Sequence, residues 1–171
     1  GGWYDNTIFV LFGDHNTRIA QIPFLAPAYE QLGLESNAVP MIIHAPGLIG
    51  TRTVEEAVGL VDLLPTVVGM AGFEFRNSGM GRDIQQPAPE GERVVPLVLR
   101  EGTFPLIAGV TQHYMVQMEH DGSSPSLHDL ASPTPLDNVA EQNPEEFKRL
   151  SQLTRAMHET SRLMLYQNVR K

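Results

Sequence analysis

Six consecutive β-favouring residues, Thr7-Ile8-Phe9-Val10-Leu11-Phe12, run without a polar break between Asn6 and the turn pair Gly13-Asp14. A strand made from them turns apolar side chains to both sides of its sheet. Such strands belong to parallel sheets covered by helices on both faces, so the run predicts an α/β fold. A second run, Val39 to Ile43, is stopped by His44-Ala45-Pro46-Gly47. Between them a short helix is expected over Ala26 to Leu32, starting near Pro27. Glu56 to Leu60 reads as a short strand. Asp62 then reads as the N-cap of an apolar helix from Leu63 to Ala71, ended by Gly72. Pro65 lies in its first turn, where a missing N–H costs little.

Residues 74–92 are rich in turn formers and place a subdomain boundary there. The expected units are 1–90, part of the main α/β domain, and 91–171, a smaller α+β subdomain. Val94–Leu99, Leu106–Thr111 and His113–Glu119 have the spacing of an antiparallel meander. Asp121 to Pro135 reads as a polar connector. Asn143, Pro144 and Glu146 form a helix-start signal. Phe147, Leu150, Leu153, Met157 and Met164 follow near one face of a long helix.

Composition narrows the function. A net charge of -8 argues against non-specific binding to nucleic acid or an anionic membrane surface, although ten of the twelve cations are Arg. The absence of cysteine excludes disulfides, thiolate metal sites and cysteine nucleophiles. No apolar run reaches the roughly 18–20 residues of a spanning helix. The opening Gly1-Gly2-Trp3-Tyr4 is not a signal peptide, and it leads almost at once into a strand, which suggests a fragment.

The candidate chemistry begins at Asp14-His15. In open α/β sheets, ligands bind outside the carboxyl ends of the strands. A carboxylate and an imidazole both suit a divalent ion. The competing reading makes Asp14 a turn cap and His15 an exposed loop residue. His44 ends the second strand in the same way, so it either reaches the same crevice and binds substrate or bonds to local backbone. Arg18 and Arg82 either meet an anionic substrate or are surface charges. His113, His120, His128 and His158 lack metal-ligand spacing and read as structural. No Gly-x-Ser-x-Gly elbow and no paired-histidine helix motif is present. Half a metal site without a nucleophile is what a C-terminal piece of a metallohydrolase would leave.

Four motifs, in order, carry a family resemblance. Tyr4-Asp5-Asn6-Thr7 with the apolar run and Gly13-Asp14-His15 is the first. Val39-Pro40-Met41-Ile42-Ile43-His44-Ala45-Pro46-Gly47 is the second. Val61-Asp62-Leu63-Leu64-Pro65-Thr66 is the third. Leu127-His128-Asp129-Leu130 followed by Asn138-Val139-Ala140 is the fourth. Together they resemble sulfatase-type members of the alkaline phosphatase superfamily. The Gly-Asp-His form is most similar to the lipoteichoic acid synthase and phosphoglycerol transferase group. Asn16 stands where a Gly often follows the His, and the Cys/Ser-x-Pro-x-Arg maturation signature is absent.

The resemblance implies the C-terminal part of a sulfatase-type mixed sheet with flanking helices, plus a small antiparallel sheet packed with a long C-terminal helix. It implies a divalent ion (Mn, Zn, Ca or Mg) held by Asp14 and His15 with upstream ligands, and a sulfate or phosphate ester substrate. It further implies a nucleophile in the upstream part of the same enzyme, and a parent placed outside the cytoplasm of a bacterium. Any membrane anchor would lie in a segment not present here. On this reading the 171 residues have no turnover alone. The alternative is a non-catalytic binding or scaffold protein that keeps the fold.

Overall fold

The computed structural model describes residues 2–16, 26–88, 93–100 and 102–169. A short 3₁₀ turn at Tyr4–Asn6 leads into β1 (Phe9–Phe12), and α1 (Pro27–Gln31) precedes β2 (Met41–His44). A second 3₁₀ turn, Leu60–Asp62, runs into α2 (Leu63–Met70). Four strands follow, β3 (Val95–Arg100), β4 (Leu106–Val110), β5 (Tyr114–Glu119) and β6 (Ser126–Asp129), and then the long helix α3 (Pro144–Val169).

The strands form two sheets. β1 and β2 make a two-stranded ribbon, and β3-β4-β5-β6 make an antiparallel meander in sequence order. The meander confirms the three expected runs and adds a fourth strand from the stretch expected to be a connector. Leu127 and His128 of β6 are buried, and Leu127 N–H donates to the Asn138 side chain. The expected strand over Glu56 to Leu60 does not form, and its end is the 3₁₀ turn that starts at Leu60.

The meander is covered on both faces. On one, Ile107, Val116, Met118 and Leu127 pack against Leu150 of α3, with Phe147 beside them. On the other, Ala108, Val110 and Met115 meet Ala28, Leu32 and Leu34 from the α1 region. Thr154, on the buried face of α3, sits so close to Gly109 that a β-carbon there would collide with its hydroxyl. A glycine in mid-strand is thus explained by close helix–sheet approach.

β1 and β2 correct the parallel-sheet expectation. They pair antiparallel, Phe9 with His44 and Phe12 with Met41. Leu11 and Ile42, directly opposite each other, are each 59% exposed, and Phe12 is 48% exposed. An apolar run reveals that both faces seek cover. It carries no information about the direction of the neighbouring strand.

Asp62 behaves differently from a simple helix cap. It makes no side-chain cap bond to α2. Its carboxylate accepts from Gly59 N–H at 3.0 Å and from Arg82 N–H at 2.7 Å, tying the helix start to a loop twenty residues on. Thr66 completes the knot: its hydroxyl donates to the Asp62 carbonyl and accepts from Ile84 N–H. Gly81 is required there, because a β-carbon would overlap the Val61 carbonyl. The Asp-x-x-x-Thr spacing of the third motif is therefore a fold determinant.

Candidate metal-ligand pair

The chain leaves β1 through Gly13, whose N–H donates to the Pro40 carbonyl at 3.2 Å. A β-carbon on Gly13 would lie 3.1 Å from the Val39 side chain, so a larger residue would push the two segments apart. Asp14 and His15 come next. His15 N–H donates to Asp14 Oδ1 at 2.9 Å. Its Nε2 lies 3.8 Å from Asp14 Oδ2, and the two side chains are 78% and 85% exposed. His15 Nδ1 is 3.3 Å from the Asn16 carbonyl. A carbonyl can only accept, so in the neutral ring this contact favours the tautomer with the proton on Nδ1 and Nε2 free of one.

That donor set fits part of a divalent-ion site. Ligand atoms contact such an ion at about 2.0–2.2 Å, so a single ion can touch two atoms spaced like Oδ2 and Nε2. The backbone contact on the second ring nitrogen is the usual way a ligating imidazole is oriented. Two donors do not complete a coordination shell. Among the described residues no group of three or more His, Cys, Asp or Glu is placed to hold an ion.

Asn16, which stands where the family pattern often has Gly, ties the pair to the segment before β2. Its N–H donates to the Ser36 carbonyl at 2.9 Å and its side-chain amide to the Ala38 carbonyl at 3.1 Å. A Gly here could make only the first bond. The substitution relative to the family pattern was the available signal.

His44 does not share this site. It lies opposite Phe9, at the far end of the ribbon from Asp14. Three residue steps of strand lead from Phe9 to Phe12, roughly 10 Å at the usual rise, and Asp14 lies beyond. The shared crevice was a consequence of assuming parallel strands, and the antiparallel register corrects it. His44 instead contacts the Tyr4 hydroxyl through Nε2 at 2.7 Å and packs beside the Tyr4 and Phe9 rings. Arg18 lies outside the described residues. The Arg82 side chain is exposed.

His128 is the buried histidine of the chain's described part, 4% exposed. Its Nδ1 lies 3.0 Å from the Pro135 carbonyl and its Nε2 2.8 Å from the Ser126 hydroxyl. Burial holds its pKa below the ordinary value, so the ring is kept neutral. Burial also lowers His158, on the sheet side of α3.

Residues 2–73 match the sulfatase family model. No curated protein is matched by the chain. A Bacteroides fragilis protein assigned as a sulfatase, yidJ, shares the fold with a TM-score of 0.68 at 20% identity, over 94% of this chain and 37% of its own. A 2-O GAG sulfatase gives 0.60 at 20% identity, over 96% and 38%. A phosphonate monoester hydrolase from Silicibacter pomeroyi gives 0.54 at 20% identity, over 99% and 36%. The chain spans somewhat over a third of the length of each of these structures. Asp14 and His15 thus stand inside the stretch that matches the sulfatase family model, in a chain whose fold is that of a portion of these solved structures.

Proposed function

We propose that this chain is the C-terminal portion of a metal-dependent hydrolase or transferase of sulfate or phosphate esters, and that Asp14 and His15 supply two ligands of its divalent ion. The observation that carries this reading is the pairing of Asp14 Oδ2 and His15 Nε2 at the end of β1, within residues 2–73. Asp14 contributes an anionic oxygen, with its other oxygen occupied by His15 N–H. His15 contributes a neutral nitrogen, oriented through the Asn16 carbonyl. A bound ion of this class polarises ester oxygens and lowers the pKa of a nucleophile.

The nucleophile and the other ligands would come from a further part of the same polypeptide. Leu11, Ile42, Leu64 and Phe73, all more than half exposed, offer it an apolar surface. Residues 1–90 would complete the main domain and residues 91–171 form the smaller subdomain. Gly13-Asp14-His15 is the form that resembles the phosphoglycerol transferase group, and the ester is a sulfate or a phosphate. That group's parent would act outside the cytoplasm. No described helix is long and apolar enough to cross a membrane.

Calorimetric titration of the parent protein with Mn²⁺ or Zn²⁺ tests the ligand assignment. Affinity should drop at least tenfold in Asp14→Ala and in His15→Ala, and an unchanged affinity would strike that residue from the ligand set. The 171 residues alone should not turn over an aryl phosphate or an aryl sulfate. Metal-dependent turnover by them would overturn the division of labour, and would point to a complete site within this chain.

A further inference from the structure

Asn16 stands where the family pattern often has a Gly, and its backbone does not require one. Among the described residues other than glycine, only Ser124 has a positive φ, so Asn16 lies outside the left-handed region and carries a side chain without strain. That side chain makes a bond that Gly cannot, from its amide to the Ala38 carbonyl at 3.1 Å. The Asn16 N–H donates to the Ser36 carbonyl at 2.9 Å. Its own carbonyl lies 3.3 Å from His15 Nδ1. One residue therefore touches the imidazole with one group and the segment before β2 with two others.

The segment that Asn16 grips is itself anchored. Asn37 N–H and Ala38 N–H both donate to the Leu34 carbonyl at 3.0 Å, which closes the chain into a turn. Leu34 is 2% exposed and shares a core cluster with Ala108, Val110 and Met115 of the meander. A continuous path of contacts runs from that core through Leu34 and the Ser36 and Ala38 carbonyls to Asn16, and from Asn16 to the ring of His15.

We propose that Asn16 is a positioning residue: its side-chain amide holds the carbonyl that orients the His15 ring and presents Nε2 as the ligand atom. The proposal rests on the assignment of Asp14 and His15 as metal ligands, and adds a residue that the assignment does not contain. A ligating imidazole depends on the acceptor at its other nitrogen, and disturbing that acceptor weakens metal binding. The expected subdomain 91–171 then contributes to the site, through the core around Leu34, without supplying a ligand.

Two measurements on the parent protein test the role of Asn16, with Asn16→Ala and Asn16→Gly as variants. Both keep the backbone bond to Ser36, so the fold should stand. The first measurement is made without metal. Nitrogen-15 shifts of labelled histidine, recorded where the His15 ring is neutral, report which ring nitrogen carries its proton. The Nδ1–H form should dominate in the native sequence and lose ground to the Nε2–H form in Asn16→Ala. The second is calorimetric titration with Mn²⁺. Asn16→Ala should weaken binding roughly three- to tenfold, less than the loss of a ligand, because the carbonyl itself stays in the chain. Asn16→Gly should weaken it at least as much. An unchanged tautomer or an unchanged Mn²⁺ affinity in Asn16→Ala would overturn the proposal. A loss confined to Asn16→Gly would overturn it too, since backbone freedom and not the amide would be the cause. The ligand assignment fails separately, by unchanged affinity in Asp14→Ala and His15→Ala, and the tautomer measurement would still decide whether Asn16 orients the ring.

Discussion

The β1–β2 ribbon leaves Leu11 and Ile42 each 59% exposed, whereas the meander buries Ile107, Val116, Met118 and Leu127 to 2% or less. Both regions are antiparallel and apolar, so neither strand propensity nor composition separates them. The difference is the supply of covering elements. The meander receives α3 on one face and the α1 region on the other. The ribbon's Leu11–Ile42 pair, by contrast, is open to solvent, and its Val10–Ile43 pair is only half-buried. Stability should therefore reside in the C-terminal half, while the candidate ligands sit on the half that contributes less of it. Elements with few buried contacts open locally at the lowest free energy.

The sharpest way to break this contrast is truncation in each region. Leu150→Ala deletes a fully buried side chain between α3 and the sheet, and should cost about 2–5 kcal/mol in denaturant unfolding. Leu11→Ala in the same chain should cost under about 1 kcal/mol, since most of its side chain is already wet. Equal losses would mean that the ribbon is covered after all. The next effect concerns the helix–sheet contact. Gly109→Ala pushes a methyl group into the Thr154 hydroxyl and should destabilise by about 1–3 kcal/mol. Thr154→Ala in the same background should recover part of that loss, a coupling that a double-mutant cycle measures.

A smaller effect is set by pH. His128 has its pKa lowered from 6.5 by burial in β6, so between that lowered value and 6.5 the unfolded state binds more protons than the folded one. Its stabilising contribution is complete above about pH 6.5 and is lost as pH falls through the window below it. The neutral variant His128→Gln should flatten the dependence of the unfolding midpoint on pH in that window. A dependence of unchanged slope would assign it to other groups, His158 first. The smallest effect belongs to the site. Asp14→Ala should alter stability by no more than about 0.5 kcal/mol in metal-free buffer, because the side chain is exposed. A larger loss would make Asp14 a structural cap.

Local signals made much of this fold legible. Asn143-Pro144 marks the start of α3, and regularly spaced apolar runs mark β3, β4 and β5. β6 was hidden because Ser126, His128 and Asp129 look polar. Only the tertiary contacts of His128 with Pro135 and Ser126 show why an imidazole is tolerated inside. Asp62 was legible as a residue at a helix start, but its partner Arg82 is remote in sequence. The same limit applies to the site. Asp14 and His15 are readable as a candidate pair because they are adjacent in sequence. Placing His44 depends on strand direction, which no run of apolar residues encodes.

The turn that carries Asp14 and His15 is stapled on both sides to the segment entering β2. Gly13 bonds Pro40 before the pair, and Asn16 bonds Ser36 and Ala38 after it. The backbone beneath the two side chains is therefore held by residues more than twenty positions away. Whatever the pair binds, the entropy of bringing a carboxylate and an imidazole together has been spent during folding, and binding need restrict only their side-chain rotamers. A candidate site on the less buried of the two described sheets can in this way still be geometrically prepared.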